Sequence, residues 1–396
     1  MKTLTLQRRA VSAVRAGHPW VYREGLLAPR EMPVTGESVK LLVPGAEGVA
    51  YYGIFDATSP LAVRVWAGAT SEVNAGTFGA HAERAFAVRD WLFAGGETSA
   101  YRLLHGEGDR MPGFTLDRYG DVAVLRTDGD AAGARTPEFV EAIWPLLRTQ
   151  GIVSLLGRDP DRSGPPIVLH GPMPDARVVV AEHGVPFCVD LFDGQKTGAF
   201  LDQRDNRRRV GEFCAMLAAR GIVQAIRMLN LFSYAGGFSV FAARAGAITT
   251  SVDIAAKAHR TAEESFRAAG LDPSGHRFVA ADAFQFMQNA LERGEQFDVI
   301  VCDPPSFAPN EKSVPRATEA YTKLHAACAK LLAPGGVFCA ASCSSHMNMT
   351  RFAATLTDEA LGRTDLRAIA SYGPPRDHPT LPAFPEGAYL KFVALA

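Results

Sequence analysis

Residues 228–239 read MLNLFSYAGGFS, and this stretch decides the fold. The apolar residues around Asn230 predict a buried strand over Met228–Phe232. The pair Gly236-Gly237 interrupts it, and helical spacing begins at Ser239. A strand, a glycine turn and a helix in that order open a βαβ unit. Further strands are expected at Ile248–Val252, Arg277–Ala280, Phe297–Cys302, Gly336–Ala341, Ala368–Ser371 and Tyr389–Ala394. Between them the spacing predicts helices near Ser239–Ala245, Lys257–Ala269, Ala283–Glu292, Thr318–Leu332 and Met349–Leu361. The fold class is therefore α/β, with a seven-stranded, doubly wound, Rossmann-like domain over residues 186–396.

Upstream the pattern is different. Val39–Val43, Val49–Phe55 and Ala62–Trp66 read as strands of a small β-rich module over residues 1–70. A connector helix over Phe78–Phe93 ends at Gly95-Gly96. Strands at Phe114–Leu116, Val122–Leu125, Ile152–Leu156 and Val178–Val180, with a helix near Pro137–Leu147, make a small α+β central domain over 71–185.

The chain has 396 residues, 47% of them hydrophobic, enough for two or three domains with ordinary cores. A net charge of −1 provides no global attraction to polyanions, so an RNA-binding surface has to be local. Among the first 31 residues Lys2, Arg8, Arg9, Arg15, Arg23 and Arg30 are opposed only by Glu24 and Glu31. This suits phosphate contact. His18, Trp20 and Tyr22 add aromatic groups that either stack on bases or form core. The six cysteines show no metal-ligand or disulfide spacing, so no metal is expected. With no signal-peptide core and no apolar run long enough to span a bilayer, the reading is a cytoplasmic protein with no membrane partner; a homodimer is left open.

Ligands of open α/β sheets gather at the carboxyl ends of the strands. The first strand offers Asn230, Phe232, Ser233 and Gly236 there, and the second ends in Asp253-Ile254, where a carboxylate can accept both hydroxyls of a ribose. The glycine loop lacks the G-x-G-x-x-G that cradles a pyrophosphate, so a nucleoside cofactor such as S-adenosyl-L-methionine fits better than a dinucleotide. Asp282 and Ala283, after the third strand, stand where an adenine amino group needs an acceptor, although Asp282 equally suits a helix cap.

The fourth strand runs into Asp303-Pro304-Pro305-Ser306-Phe307, and the fifth ends at Cys343, past its apolar run. Cys188, Cys214, Cys302, Cys328 and Cys339 read as packing. A thiol beside a carboxylate suits methylation of cytosine at carbon 5. The thiolate adds at carbon 6 and the carboxyl group holds the base, so Cys343 is the expected nucleophile and Asp303 the expected acid. No residue identifies itself as the base that removes the carbon-5 proton.

Taken together, HPWVY (18–22), YRLLHGEGDRMPGFTLDRYG (101–120), KTGAFLDQRDNR (196–207), NLFSYAGGF (230–238), VDI (252–254), DPPSF (303–307), ASCSS (341–345) and DHPTLPAFPEGAYLK (377–391) resemble the bacterial 23S rRNA 5-methylcytosine methyltransferases that carry an N-terminal PUA domain. The resemblance implies a β-barrel PUA domain at 1–70 that reads RNA through Arg8, Arg9, His18, Trp20 and Arg23. It also implies that the segment holding Lys196, Thr197, Asp202, Gln203 and Arg204 closes over the methionine end of the cofactor, with Gln203 and Arg204 as partners of its carboxylate. Many RNA 5-methylcytosine enzymes carry a second cysteine directly after the proline pair. Ser306 stands there here, which implies a one-cysteine mechanism. Two other readings remain at this point: an exocyclic-amine RNA methyltransferase gripping its substrate with the Asp-Pro-Pro-Ser-Phe loop, and a non-catalytic RNA-binding protein.

Overall fold

The computed structural model describes residues 1–46, 48–158, 164–221 and 225–396. They divide into two compact units. The first comprises Met1–Ala176, Leu191–Gly198 and Arg376–Gly387, and the second Arg177–Asp190, Ala199–Pro375 and Ala388–Ala396. This partition differs from the boundaries expected at 70 and 185. Leu4, Leu6, Val14, Val21, Val39, Leu41 and Val63 form a core of their own within residues 1–70, while Ile54 and Trp66 bury across that expected boundary with Val73, Phe78, Phe114 and Phe139. The hairpin Arg177–Glu182/Val185–Asp190 belongs to the second unit. The block 376–387 belongs to the first, where Asp377 Oδ2 accepts from the Arg102 backbone N–H at 2.9 Å.

In the first unit a mixed sheet has the order Lys2–Thr5, Ser38–Leu42, Ala50–Phe55, Leu61–Val65, Trp20–Tyr22. The outer pair Lys2–Thr5/Ser38–Leu42 is parallel. The helix Arg8–Ala16 is absent from the sequence expectation, although Ala10, Val11 and Val14 recur at helical spacing and pack on the core of Leu4, Leu6 and Val21. A second five-stranded sheet runs Ile167–His170, Ser154–Arg158, Val122–Thr127, Phe114–Tyr119, Ala100–His105. The sequence reading starts its neighbouring helix at Pro137, where proline is tolerated, yet the helix spans Asp130–Thr149 with Pro137 and Pro145 inside. At ~3 kcal/mol each, the two interior prolines cost about 6 kcal/mol. Burial of Phe139, Val140, Ile143 and Leu147, at about 1.5–3 kcal/mol each, offsets it.

The second unit is built on strands β1 (Arg227–Leu231), β2 (Ile248–Asp253), β3 (Arg277–Ala280), β4 (Phe297–Cys302), β5 (Leu332–Ser342), β6 (Ala368–Tyr372) and β7 (Lys391–Leu395). Their order is 3-2-1-4-5-7-6, with β7 antiparallel to both neighbours. Its helices include α1 (Arg204–Ala219), α2 (Gly237–Arg244), α3 (Ala256–Ala268), α4 (Ala283–Glu292) and α5 (Val314–Leu331). Strand side chains alternate between two cores, as the pleat requires. Leu229, Leu231, Ile300, Cys302, Phe338 and Ala340 meet Phe286 of α4 and Leu324 of α5 on one face. Met228, Val299, Val301, Val337 and Cys339 meet Val210 of α1 and Phe238 of α2 on the other. The single helix expected at Met349–Leu361 is instead Met349–Ala353, a 3-10 turn, and Asp358–Leu361. Thr357 caps the last piece through its hydroxyl, which accepts from Ala360 N, and so restarts the chain there.

Candidate active site

The β1–α2 loop is bent by three residues with positive φ: Phe232 (59°), Tyr234 (46°) and Gly236 (73°). The two non-glycine residues each store on the order of 1–3 kcal/mol, which concentrates at ligand-binding loops. At Gly236 a Cβ would also lie 2.9 Å from the Ala262 Cβ, so α3 seats against bare backbone. Asn230 is fully buried and donates from Nδ2 to Ser239 Oγ at 3.0 Å, while its Oδ1 and the Ser233 Oγ are buried without hydrogen-bond partners. Unsatisfied buried polar atoms of this kind call for an explanation, and a polar ligand is one.

Asp253 ends β2. Its Oδ2 accepts from Tyr234 N–H and its Oδ1 from Ala255 N–H, both at 2.8 Å, which ties the two loops of the ligand edge together. A carboxylate offers about four lone-pair positions, so both oxygens keep capacity for ribose hydroxyls. Beside it Ile254 is 77% exposed, an apolar surface for a flat ring. Asp282 caps α4, accepting from Gln285 N–H at 3.0 Å, and Ala283 is buried behind it.

Asp303 and Cys343 follow the neighbouring parallel strands β4 and β5. Two hydrogen bonds join their loops: Ser306 Oγ to Ser344 Oγ at 2.9 Å, and Ala308 N–H to Ser344 Oγ at 3.4 Å. Tyr321 of α5 donates to Ser342 Oγ at 2.9 Å, and burial pushes its phenol up to about 12, with Cys343 and Asp303 adding to the shift. Of the six cysteines, all among the described residues, Cys343 alone is not buried. Burial raises the Cys188 and Cys214 thiols to about 12, and Cys302 and Cys339 also upward, so these are poor nucleophiles.

Gln203 ends the short 3-10 turn Leu201–Gln203 that leads into α1. Its Nε2 donates to Asp303 Oδ2 at 2.9 Å, and Asn206 Nδ2 donates to its Oε1 at 2.6 Å. Arg204 is buried, its Nε 3.4 Å from Asp205. Arg207 is part of the interior as well, ion-paired with Glu182 at 2.5 Å. Thr197 belongs to the first unit, donating to Asp117 Oδ2 at 2.5 Å. A buried charge at this site that the sequence does not single out is Lys391, beneath the Cys343 loop. A lysine at the start of an expected strand carries no signal of its own.

In the first unit, Arg8 and Arg9 lie on the exposed face of their helix, where Arg9 also donates to the Glu24 carbonyl. His18 and Trp20 turn inward. Trp20 Nε1 donates to Glu107 at 2.8 Å, and both rings pack edge-on against Phe384. Arg23 donates to the carbonyls of Asp56 and Ser59, both at 2.8 Å. A cleft of about 380 Å³ beside this helix is lined by Arg15, His18, Tyr51 and Arg110. Among the described residues no helix is long and apolar enough to cross a membrane, and no cluster of His, Cys, Asp or Glu could hold a metal.

Residues 163–362 match the model of the S-adenosylmethionine-dependent methyltransferases, and residues 4–67 match a PUA-like domain. The chain is 34% identical over 385 residues to the ribosomal RNA large subunit methyltransferase I of Aeromonas salmonicida, covering 94% of each chain. It is 34% identical over 422 residues to a ribosomal RNA large subunit methyltransferase of Deinococcus radiodurans, covering 99% of this chain and 96% of the relative. Its fold is that of a methyltransferase crystallised with S-adenosylhomocysteine, at a TM-score of 0.86 and 24% identity over the full length of both.

Proposed function

The chain belongs to the S-adenosylmethionine-dependent methyltransferases, and from that premise we propose that it methylates carbon 5 of a cytosine in large-subunit ribosomal RNA, with Cys343 as the nucleophile. The observation that carries this reading is that Cys343, the one cysteine that is not buried, and Asp303, a carboxylate held by Gln203, follow adjacent parallel strands at their carboxyl ends. An RNA substrate is what the relatives' names describe for those proteins. The exposed basic helix Arg8–Ala16 supplies a surface for it, and in this reading Arg8 and Arg9 touch phosphate.

The residues of the β1 and β2 ends fit the cofactor. Asn230 Oδ1 and Ser233 Oγ supply unspent polar atoms, Asp253 an acceptor for the ribose, and Ile254 an apolar face for adenine. S-adenosylmethionine supplies the methyl group as an electrophile. The Cys343 sulfur donates an electron pair to carbon 6, and the carbon 5–carbon 6 π pair becomes available at carbon 5 to take the methyl group. Asp303, fixed by Gln203, holds the base as the protonated acid: its carboxyl O–H donates to N3, where negative charge develops as sulfur adds, and it takes the proton back when the sulfur leaves. Loss of the carbon-5 proton to a base then returns the sulfur–carbon pair to Cys343 and frees the product.

Amine methylation needs the aromatic of the proline loop turned toward the base. Phe307 instead packs into the core, its ring 5.1 Å from that of Tyr321. RNA carrying 5-fluorocytosine should trap the enzyme as a methylated covalent adduct, because fluorine does not leave as the proton does, and the adduct should disappear in Cys343→Ala. Cys343→Ala should also lower turnover at least ~10³-fold while cofactor affinity holds. Near-normal turnover in that variant would sink the reading and favour the amine.

A further inference from the structure

Lys391 opens β7, and its backbone pairs in antiparallel register with Ser342, the residue before Cys343. Its side chain reaches the other flank. Nζ donates to the carbonyl oxygen of Ser344, the residue after Cys343, at 2.6 Å, and to that of Tyr389 at 2.6 Å. One residue thus holds the chain on both sides of the nucleophile.

The charge is as informative as the geometry. Lys391 is 3% exposed, and an ammonium taken out of water is costly unless other groups compensate for it. The two carbonyls compensate in part. Burial draws its proton affinity down to about 8, and the ionisable group that acts in the opposite direction is the Cys343 sulfur. The other ionisable groups around this loop are Asp303 at the end of β4, Tyr321 of α5, Asp202, which accepts from Tyr389 OH at 2.8 Å, His346 further along the loop, and the half-exposed Arg351, which donates to the His346 carbonyl at 3.0 Å and is ion-paired with Glu311. The carboxylates and the phenol oppose ionisation of a neighbouring thiol; Lys391 is the buried cation that favours it.

We infer that Lys391 is the positioning residue of Cys343: its ammonium fixes both ends of the nucleophile loop and supplies the positive charge against which the sulfur ionises near neutral pH. The thiol proton goes to solvent and Lys391 keeps its own, so thiolate and ammonium form a neutral pair. When carbon 6 is released after methylation, the sulfur regains its electron pair beside the same charge. The inference rests on the carbon-5 reading for the use made of the thiolate, but not for its existence.

The test is alkylation of Cys343 by iodoacetamide in the full-length protein as a function of pH, with the labelled peptide quantified by mass spectrometry. The other five cysteines are buried, so the label reports this site. In the unmodified sequence the midpoint should lie at least about one unit below the ~8.5 of a free thiol. Lys391→Met should raise it by about one unit or more, slowing alkylation at pH 7 roughly tenfold, while Lys391→Arg stays within about half a unit of the parent. A merely structural lysine would change melting temperature without moving this midpoint. Binding of S-adenosylhomocysteine reports whether the variants are folded. A parent midpoint at or above ~8.5 overturns the inference, as does a folded Lys391→Met with the parent midpoint. If Lys391→Met does not fold, the parent midpoint and Lys391→Arg still decide. Alkylation needs no RNA, so full methylation activity in Cys343→Ala would defeat the carbon-5 reading without touching this result.

Discussion

Gln203 spans 100 residues of sequence to place its amide 2.9 Å from Asp303, and Asn206 fixes which way that amide faces. In the proposed reaction the glutamine orients the acid that holds the substrate base. Gln203→Leu should lower turnover about 10- to 100-fold, the equivalent of about 1.5–3 kcal/mol for a hydrogen bond to a charged group, with S-adenosylhomocysteine affinity changed less than about threefold. Calorimetry showing the loss in cofactor affinity instead would return Gln203 to the cofactor's carboxylate.

Asp253 ties two loops together, and in the proposed function it also accepts from the ribose of the cofactor. Asp253→Ala should weaken cofactor binding by about 1.5–3 kcal/mol. Because Tyr234 N–H and Ala255 N–H lose their acceptor too, the melting temperature without cofactor should also fall. Titration calorimetry with an unchanged dissociation constant would remove Asp253 from the site.

The exposed arginines and the inward-turned aromatics of the first unit should separate cleanly. Replacing Arg8 and Arg9 by Ala should flatten the slope of log RNA affinity against log salt by roughly 0.7 for each phosphate they neutralise, with little change in stability. Trp20→Ala should cost roughly 2–4 kcal/mol in denaturant unfolding, because it abandons Glu107 and Phe384. An unchanged salt slope in the double arginine variant would place the RNA surface elsewhere. These substitutions are cleaner than deleting 1–70, which would strip Ile54 and Trp66 from a core shared with Phe114.

His325 is fully buried in the second unit, its Nδ1 3.0 Å from Thr355 Oγ1, and burial lowers its proton affinity to about 4. The unfolded chain takes up a proton near pH 6.5 while the folded one stays neutral. Stability is thus intact above about 6.5 and declines as pH falls from there toward 4. The decline is on the order of 3 kcal/mol for this group alone. His325→Leu should flatten the slope of unfolding free energy across that window; an unaltered slope would mean the group is protonated in the fold.

The seven strands of the catalytic sheet were legible because each is a short apolar run closed by a polar or glycine residue, and the ligand edge followed from chain direction alone. That is why Asp303 and Cys343 could be paired before any coordinates. The partners of Gln203 and Lys391 were not legible, since they are a side chain 100 residues away and the carbonyls of Ser344 and Tyr389, none of which leaves a local pattern. For His18 and Trp20 the sequence leaves base stacking and core packing both open, because their packing partner Phe384 lies more than three hundred residues downstream.

The chain passes between the two units five times, the last at Gly387, nine residues before its end. Synthesis runs from the N-terminus, so the first unit waits for Asp377 and Phe384 to complete its interior until almost the whole protein has been made. Contacts of such long sequence separation are slow to close. No nascent fragment can therefore carry a finished first unit, and a ribosome stalled before residue 377 would hold Arg89 and Arg102 without the backbone and carboxylate partners that Asp377 provides.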